Sequence, residues 1–286
     1  MNSQSENLPK SFESDLLKRI VRLALDEDRV SNDVTTDSLL EYDRQVRAQV
    51  LVKQDGIISG MSAFIMTFEM VDPGITNRIF RDDGSSVKTG ELVAEVNGME
   101  SSILKAERTA LNFLQRLSGI ATTTARFVEM VKSNRVTILD TRKTTPGMRY
   151  LEKKAVRDGG AMNHRMNLEA MALIKDNHIK MAGGISRAVK SIRSRFPRKK
   201  IEVEVKDLAE FKEALALNVD CIMLDNFSTD LIEKATNLNK KKTKLEISGN
   251  VTLENLGSKV REGVDFISTG ALTHSFKSLD LSLEVV

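Results

Sequence analysis

The chain has 286 residues, 41% hydrophobic and 29% charged, with 43 Lys+Arg against 40 Asp+Glu and a formal net charge of +3. These values are ordinary for a soluble globular protein of one large or two unequal domains. So small a positive excess, with two Tyr and no Trp, argues against a nucleic-acid binder. A single cysteine, Cys221, excludes an intrachain disulfide and a Cys-rich metal site, and its apolar setting marks a buried structural thiol. The first fifteen residues are polar and lack the apolar segment of a signal peptide. No run of about 18 apolar residues predicts a membrane span, so a cytoplasmic protein is expected.

In chain order, residues 1–10 have the composition of a frayed leader. Residues 12–26 carry Leu16, Leu17, Ile20, Val21, Leu23 and Ala24 at helical spacing. Residues 32–37 are polar and turn-rich. Residues 45–53 alternate Val46, Ala48, Val50 and Val52 with polar neighbours, the pattern of a half-exposed strand. Asp55-Gly56 and Ser59-Gly60 mark turns, and residues 62–70 a helix. Strands follow at 75–81 and 92–97, with Asp83-Gly84 and Thr89-Gly90 between them. Residues 101–131 predict a long helix broken near Ser118-Gly119, on which Arg108 has the default reading of a solvated charge.

From Val136 the pattern becomes regular. Apolar runs at 136–139, 171–174, 201–205, 221–224, 245–247 and 266–267 alternate with helices predicted at 186–196, 207–217, 228–238 and 252–262. Ser186, Asp207, Ser228 and Thr252 stand at the N-cap positions. Such alternation implies parallel strands joined by crossover helices. Nearly every apolar run ends in polar, charged or glycine-containing sequence: Asp140-Thr141-Arg142-Lys143, Lys175-Asp176-Asn177-His178, Asp225-Asn226, Ser248-Gly249-Asn250 and Ser268-Thr269-Gly270-Ala271, while Glu202 and Glu204 lie inside their run. Barrels build their sites at strand C-termini, and so do open doubly wound sheets. Without a GxGxxG turn or a P-loop, an incomplete α/β barrel is favoured.

The densest stretch is residues 136–180. It holds Arg142, Lys143, Arg149, Lys153, Lys154, Arg157, Arg165 and Lys175, with His164 and His178, against Asp140, Glu152, Asp158, Glu169 and Asp176. Along the strand ends, cations come first, then carboxylates (Glu204 and Asp225), then small residues whose amides can cradle phosphate. This order predicts a site for an acidic small molecule beside a phosphorylated, Mg²⁺-bound one. Singly, each feature has a plainer explanation: Glu204 could face solvent, Asp225-Asn226 could be a simple turn, and the histidines could be structural. Their coincidence at strand ends is what points to a site.

Residues 107–123 (ERTALNFLQRLSGIATT), 140–147 (DTRKTTPG), 163–165 (NHR), 173–178 (LIKDNH), 224–226 and 248–250 resemble the quinolinate phosphoribosyltransferase family, in order, from about Leu16 to the C-terminus. The resemblance implies an N-terminal α+β sandwich domain over residues 1–112, an incomplete parallel α/β barrel over 113–270, and a C-terminal segment, 271–286, that packs back on the first domain. It implies transfer of phosphoribose from 5-phosphoribosyl pyrophosphate to quinolinate, with decarboxylation, Mg²⁺ as cofactor, and a homodimer or higher homo-oligomer. By the same resemblance Thr141, Arg142, Arg165 and Lys175, with His164 beside them, bind the substrate, and Arg108 reaches the neighbouring active site. Lys143, Glu204 and Asp225 are the expected catalytic set at the ribose, pyrophosphate and metal. The backbones of Ser248, Gly249, Asn250, Thr269, Gly270 and Ala271 are expected around the 5-phosphate. Mg²⁺ is expected near Glu204 and Asp225, directly or through water or substrate.

The sequence departs from the family pattern at Asn32 and Asn167, where glycine is usual, at Ala170, where aspartate is common, and in the run Gly159-Gly160-Ala161-Met162. These changes bear on backbone shape around Arg165, not on the charged ligands. Two rivals share the scaffold: a phosphoribosyltransferase for another anionic base, and a non-catalytic nucleotide binder. A Schiff-base lyase using Lys143 or Lys175 is a third.

Overall fold

The computed structural model describes residues 10–39 and 42–286. The leader expected at residues 1–10 lies outside the described residues, except that Lys10 begins a helix. In chain order, α1 (Lys10–Asp28) and α2 (Val34–Leu39) precede β1 (Gln45–Val52), β2 (Gly56–Ile57), α3 (Met61–Val71), β3 (Thr76–Ile79), β4 (Ser86–Val87), β5 (Leu92–Met99) and α4 (Glu100–Val131). Then follow β6 (Thr137–Leu139), α5 (Arg149–Asp158), β7 (Ala172–Ile174), α6 (Asp176–Ala182), α7 (Ile185–Arg195), β8 (Ile201–Val205) and α8 (Leu208–Ala216). The chain ends with β9 (Cys221–Asp225), α9 (Thr229–Asn239), β10 (Lys244–Ser248), α10 (Leu253–Lys259), β11 (Phe266–Ser268), α11 (Ala271–His274) and β12 (Leu281–Val285).

The described chain divides into two units. One takes residues 10–125, Thr145–Gly160 and Phe276–Val286; the other takes Arg126–Thr144 and Ala161–Ser275. The boundary expected at residue 112 therefore falls inside α4, and residues 145–160 leave the barrel segment for the first unit.

The first unit carries an antiparallel sheet in the order β12-β1-β5-β3. Period-2 alternation buries Ala48, Val50 and Val52 of β1 in a core with Phe64, Phe68, Ala94, Val96, Ile103, Leu111 and Leu281. The Phe64 and Phe68 rings meet edge to face, centroids 5.0 Å apart. The turn-rich residues 32–37 prove to start α2, because Asp33 Oδ1 accepts from the Thr35 and Thr36 amides at 3.0 and 3.1 Å. The break expected at Ser118-Gly119 is absent: α4 runs unbroken for 32 residues. Ser118 Oγ instead accepts from the Ser59 amide at 2.9 Å, and a β-carbon at Gly119 would lie 2.2 Å from the Lys277 carbonyl oxygen. Glycine there allows two backbones to touch; it does not end the helix.

The second unit is a parallel sheet in the order β6-β11-β10-β9-β8-β7, all six strands at the predicted apolar runs. Met162 extends it with a parallel bridge to Leu139 of β6. Helix capping follows prediction at Asp207, whose side chain accepts from Ala209 and Glu210, and at Ser228 and Thr252. The expectation at Ser186 is corrected: α7 starts one residue earlier, after Gly184 (φ 130°), and Ser186 instead donates its amide and hydroxyl to Glu213 Oε1 at 3.0 and 2.6 Å.

Candidate active site

Register decides which side chains share a face. Glu202 lies opposite Cys221, Glu204 opposite Met223, Met223 opposite Glu246, and Asp225 opposite Ser248. Leu173 pairs with Glu202, which puts Lys175, two residues on, in line with Glu204. One face of the sheet therefore bears Lys175, Glu202, Glu204, Asp225, Glu246, Ser248 and Ser268. The other bears Ile174, Val203, Val205, Ile222, Leu224, Leu245, Ile247 and Ile267, all buried. A parallel sheet covered on both faces ordinarily reads as apolar throughout. Here one face sets buried Glu202 and Glu246 among the apolar side chains of Leu139, Cys221, Met223 and Phe266, and such carboxyls are expensive to bury unless they serve as ligands or are neutralised.

Toward the strand C-termini, Lys175 Nζ pairs with the Glu204 carboxylate. The Lys175 amide donates to His178 Nδ1 at 3.0 Å, which closes the first turn of α6 and fixes the lysine at its start. Asp225 accepts from the side-chain amide of Asn226 at 2.9 Å. Gly249 (φ 93°) is required beside it, because a β-carbon would stand 2.3 Å from Asn226 Oδ1. The loops after β6 and β11 are tied together: Thr269 donates its amide to the Leu139 carbonyl at 3.0 Å, and Thr273 Oγ1 donates to the Lys143 carbonyl at 2.7 Å. The Lys143 amide donates to Thr141 Oγ1 at 3.0 Å.

Asp140, fully buried at the end of β6, anchors the Asn-His-Arg segment. Its Oδ1 accepts from the His164 amide at 2.8 Å and its Oδ2 from the Asn163 side chain at 2.7 Å. Arg165 follows, with its guanidinium donating to the Met171 carbonyl at 3.0 Å. Its pKa is held below the usual guanidinium range, first by burial and then by the positive charge of Arg142. Two guanidinium groups close enough to repel each other define a place where an anion is stabilised.

Thr141, Arg142, Lys143, His164, Arg165, Lys175, Glu204, Asp225 and the residues of 248–250 and 269–271 thus all fall in the second unit. Arg149, Lys153, Lys154 and Arg157, counted in the same cationic stretch by sequence, do not; they lie on α5 in the first unit. There Lys154 is held by Asp83 and Asp158 at 2.6 and 2.8 Å, and buried Glu152 by Arg116 at 2.7 Å. Arg108 is on α4 of the first unit with an exposed side chain. His178 is exposed and serves the helix start. Cys221 is fully buried, and burial raises its thiol pKa well above the ordinary value, as a structural thiol requires. At Asn167 the backbone is not left-handed, and its side chain accepts from the Glu169 and Ala170 amides at 3.0 Å each. Asparagine thus forms the turn by side-chain bonding where the family pattern has glycine.

Sequence reading missed the anchoring role of Asp140 and all of Glu246. Each carried a signal. Asp140 directly follows an apolar run, and Glu246 is a lone carboxylate in the middle of one. A cavity of about 740 Å³, lined by Arg135, Asp220, Lys242, Arg261 and neighbours, opens at the other ends of the strands. Its Asp220 and Asp265 carboxylates are occupied by strand amides of Ile201 and Leu245.

Fold and site together define a class: an α/β protein with a six-stranded parallel sheet whose strand C-termini gather cations, carboxylates and glycine-containing turns, where α/β barrels build their active sites. Residues 33–118 match the quinolinate phosphoribosyl transferase N-terminal domain, and residues 120–284 its C-terminal domain. The chain is 41% identical over 97% of its length to the chloroplastic nicotinate-nucleotide pyrophosphorylase [carboxylating] of Arabidopsis thaliana, covering 85% of that protein. It is 39% identical to the probable nicotinate-nucleotide pyrophosphorylase [carboxylating] of Bacillus subtilis, with 94% and 93% coverage. The nicotinate-nucleotide pyrophosphorylase of Francisella tularensis superposes with a TM-score of 0.94 at 38% identity, each chain covered in full. The chain belongs to the quinolinate phosphoribosyltransferase family. Among the described residues no helix is long and apolar enough to cross a membrane.

Proposed function

We infer that this chain transfers phosphoribose from 5-phosphoribosyl pyrophosphate to quinolinate with loss of CO₂, giving nicotinate mononucleotide and pyrophosphate in NAD biosynthesis. The observation that carries the reading is that Arg142 and Arg165, close enough for one charge to act on the other, share the second unit with the Lys175–Glu204 pair and with the strand-end loops 248–250 and 269–271. Planar guanidinium groups suit the two carboxylates of a pyridine dicarboxylate. A substrate carboxylate reaching Lys175 would take over the lysine from Glu204. The freed Glu204 and its neighbour Asp225 would then face the positive charge that develops at the ribose C1 as pyrophosphate departs. Lys143 would neutralise the leaving group, and the backbones of residues 248–250 and 269–271 would hold the 5-phosphate. Attack by the ring nitrogen makes a pyridinium; the bond from C2 to its carboxylate then breaks, CO₂ leaves, and the electron pair at C2 takes a proton from solvent. The protein's part is positioning and charge.

The hard carboxylate oxygens of Glu204 and Asp225, on adjacent strands and one face, suit Mg²⁺. Bound there with the phosphates, the ion would supply charge neutralisation of pyrophosphate. The reading also includes a cytoplasmic homodimer or larger homo-oligomer in which the exposed Arg108 completes a neighbour's site.

The test is formation of nicotinate mononucleotide and CO₂ by purified protein, with nicotinate and other pyridine acids as competitors. Turnover is expected with quinolinate alone, and Arg142→Ala, Lys175→Ala and Arg108→Ala should each lower kcat/KM by on the order of 10²–10³-fold. Turnover with a different pyridine acid, and none with quinolinate, would overturn the assignment.

A further inference from the structure

Beneath the rim, His164, which the resemblance sets beside the substrate ligands, belongs to a buried cluster with two carboxyls that have no part in the proposed reaction. His164 Nε2 lies 3.0 Å from Glu202 Oε2 and 3.6 Å from Glu246 Oε1, and both carboxyls are fully buried. The imidazole itself is buried, turned to the sheet interior. Its other nitrogen, Nδ1, accepts the backbone N–H of Arg165 at 2.8 Å. A nitrogen that accepts an N–H bears no proton, so the ring proton belongs to Nε2 and the ring is neutral.

Three buried groups of this kind, within reach of one another, resemble a metal site, but the hydrogen bonding opposes one. A ligating histidine ordinarily donates its second ring N–H to an acceptor. Here Nδ1 is already an acceptor, so a metal on Nε2 would leave the ring without any proton, as an imidazolate. The ring's single proton instead fits a donor role toward Glu202. Two carboxyls this close and this buried do not both ionise. Burial raises both pKa values, Glu202 to about 7 and, with the charge of Glu202 added, Glu246 to about 8, so the pair keeps a proton near neutrality.

We propose that His164 is a positioning residue: its neutral Nε2–H ring links the backbone of Arg165 to the buried Glu202–Glu246 pair and thereby sets the place of the arginine that receives a substrate carboxylate. The sequence then reads as two anchors around one ligand. Asp140 fixes the amide of His164, and Glu202, through the ring, fixes the amide of Arg165. His164 acts on substrate only through Arg165. The role assigned to Arg165 rests on the proposed function; the link itself does not.

Long-range ¹H–¹⁵N correlation spectra of labelled protein test the link without substrate. The chain has three histidines, and the spectrum of His164→Asn assigns the signal. A neutral Nε2–H tautomer that persists between about pH 6 and 8 supports the proposal; an Nδ1–H tautomer or an imidazolium at neutral pH overturns it. The kinetic arm compares variants at this position. His164→Ala is expected to raise KM for quinolinate at least ~10-fold and to change KM for phosphoribosyl pyrophosphate less than ~2-fold. His164→Asn, whose oxygen can still accept from the Arg165 amide, should recover part of that loss. An equal loss in both variants, or a loss shared by both substrates, counts against positioning. Glu246→Gln covers the case in which His164→Ala does not fold: it keeps shape and neutrality, so KM for quinolinate should stay within ~3-fold, and a ~10-fold rise would overturn the proposal. If wild-type enzyme turns over no quinolinate, the functional reading fails while the spectra still decide the link.

Discussion

In the antiparallel sheet, alternation separates buried Ala48, Val50 and Val52 from Arg47 and Gln49, which meet Glu95 and Glu284 on a part-exposed face. In the parallel sheet the same alternation separates Val203 and Ile222 from Glu202, Glu204 and Glu246, yet Glu202 and Glu246 are as deeply buried as the valines. Charge on the first sheet meets water, at little cost; charge on the second must be paired, protonated or offered to a ligand. A buried polar face is thus a more informative mark of function than an exposed one. The first sheet supplies stability through area, whereas the second gives up part of that stability to hold a site.

The sharpest way to break this comparison is to remove a large group from the first core. Phe64→Ala should cost about 3–5 kcal/mol, read as a lowered urea midpoint, while KM for quinolinate stays unchanged in the folded protein. A shifted KM would mean that the two sheets do not divide the labour in this way.

The buried acid of the second sheet gives a dependence on pH that the first lacks. The pKa of Glu246 is raised in the fold, so its stabilising share is present below the unfolded value near 4.5 and is lost as pH rises to about 8. The loss amounts to at most about 1.4 kcal/mol for each pH unit crossed. Glu246→Gln, which has no proton to lose, should match wild type near pH 5 and melt several degrees higher near pH 8. Parallel melting curves across that range would place the proton elsewhere.

Gly119→Ala sets two local rules against each other. Helix propensity favours alanine by about 1 kcal/mol, but the new β-carbon would stand 2.2 Å from the Lys277 carbonyl, and overpacking costs about 1–3 kcal/mol. The clash should win, with a fall in Tm; a rise would show that the contact yields easily. The smallest effect is expected at Asp207→Ala, a loss of about 1 kcal/mol from removing the cap of α8, with kcat and KM untouched.

Much of this was legible in the chain. The six parallel strands, three of four N-caps, the helix α1 and the half-exposed β1 follow from period and capping chemistry, which act over a few residues, although on α1 Leu23 is exposed and Leu25 is buried in its place. The charged strand ends were legible as well, because a cation directly after an apolar run is costly unless it serves. Local pattern failed where the deciding contact is distant in sequence. Ser118-Gly119 has the look of a helix break and is a backbone contact with residue 277. Residues 149–157 have the look of site cations, yet Lys154 spends its charge on Asp83 and Asp158 in the other unit. Sequence alone determined the family and the alternation of six parallel strands with crossover helices. The tertiary structure decided which carboxylates face one another across β8, β9 and β10, and hence where the proton of His164 resides. Strand register and burial are properties of paired segments, and no window along a single segment contains them.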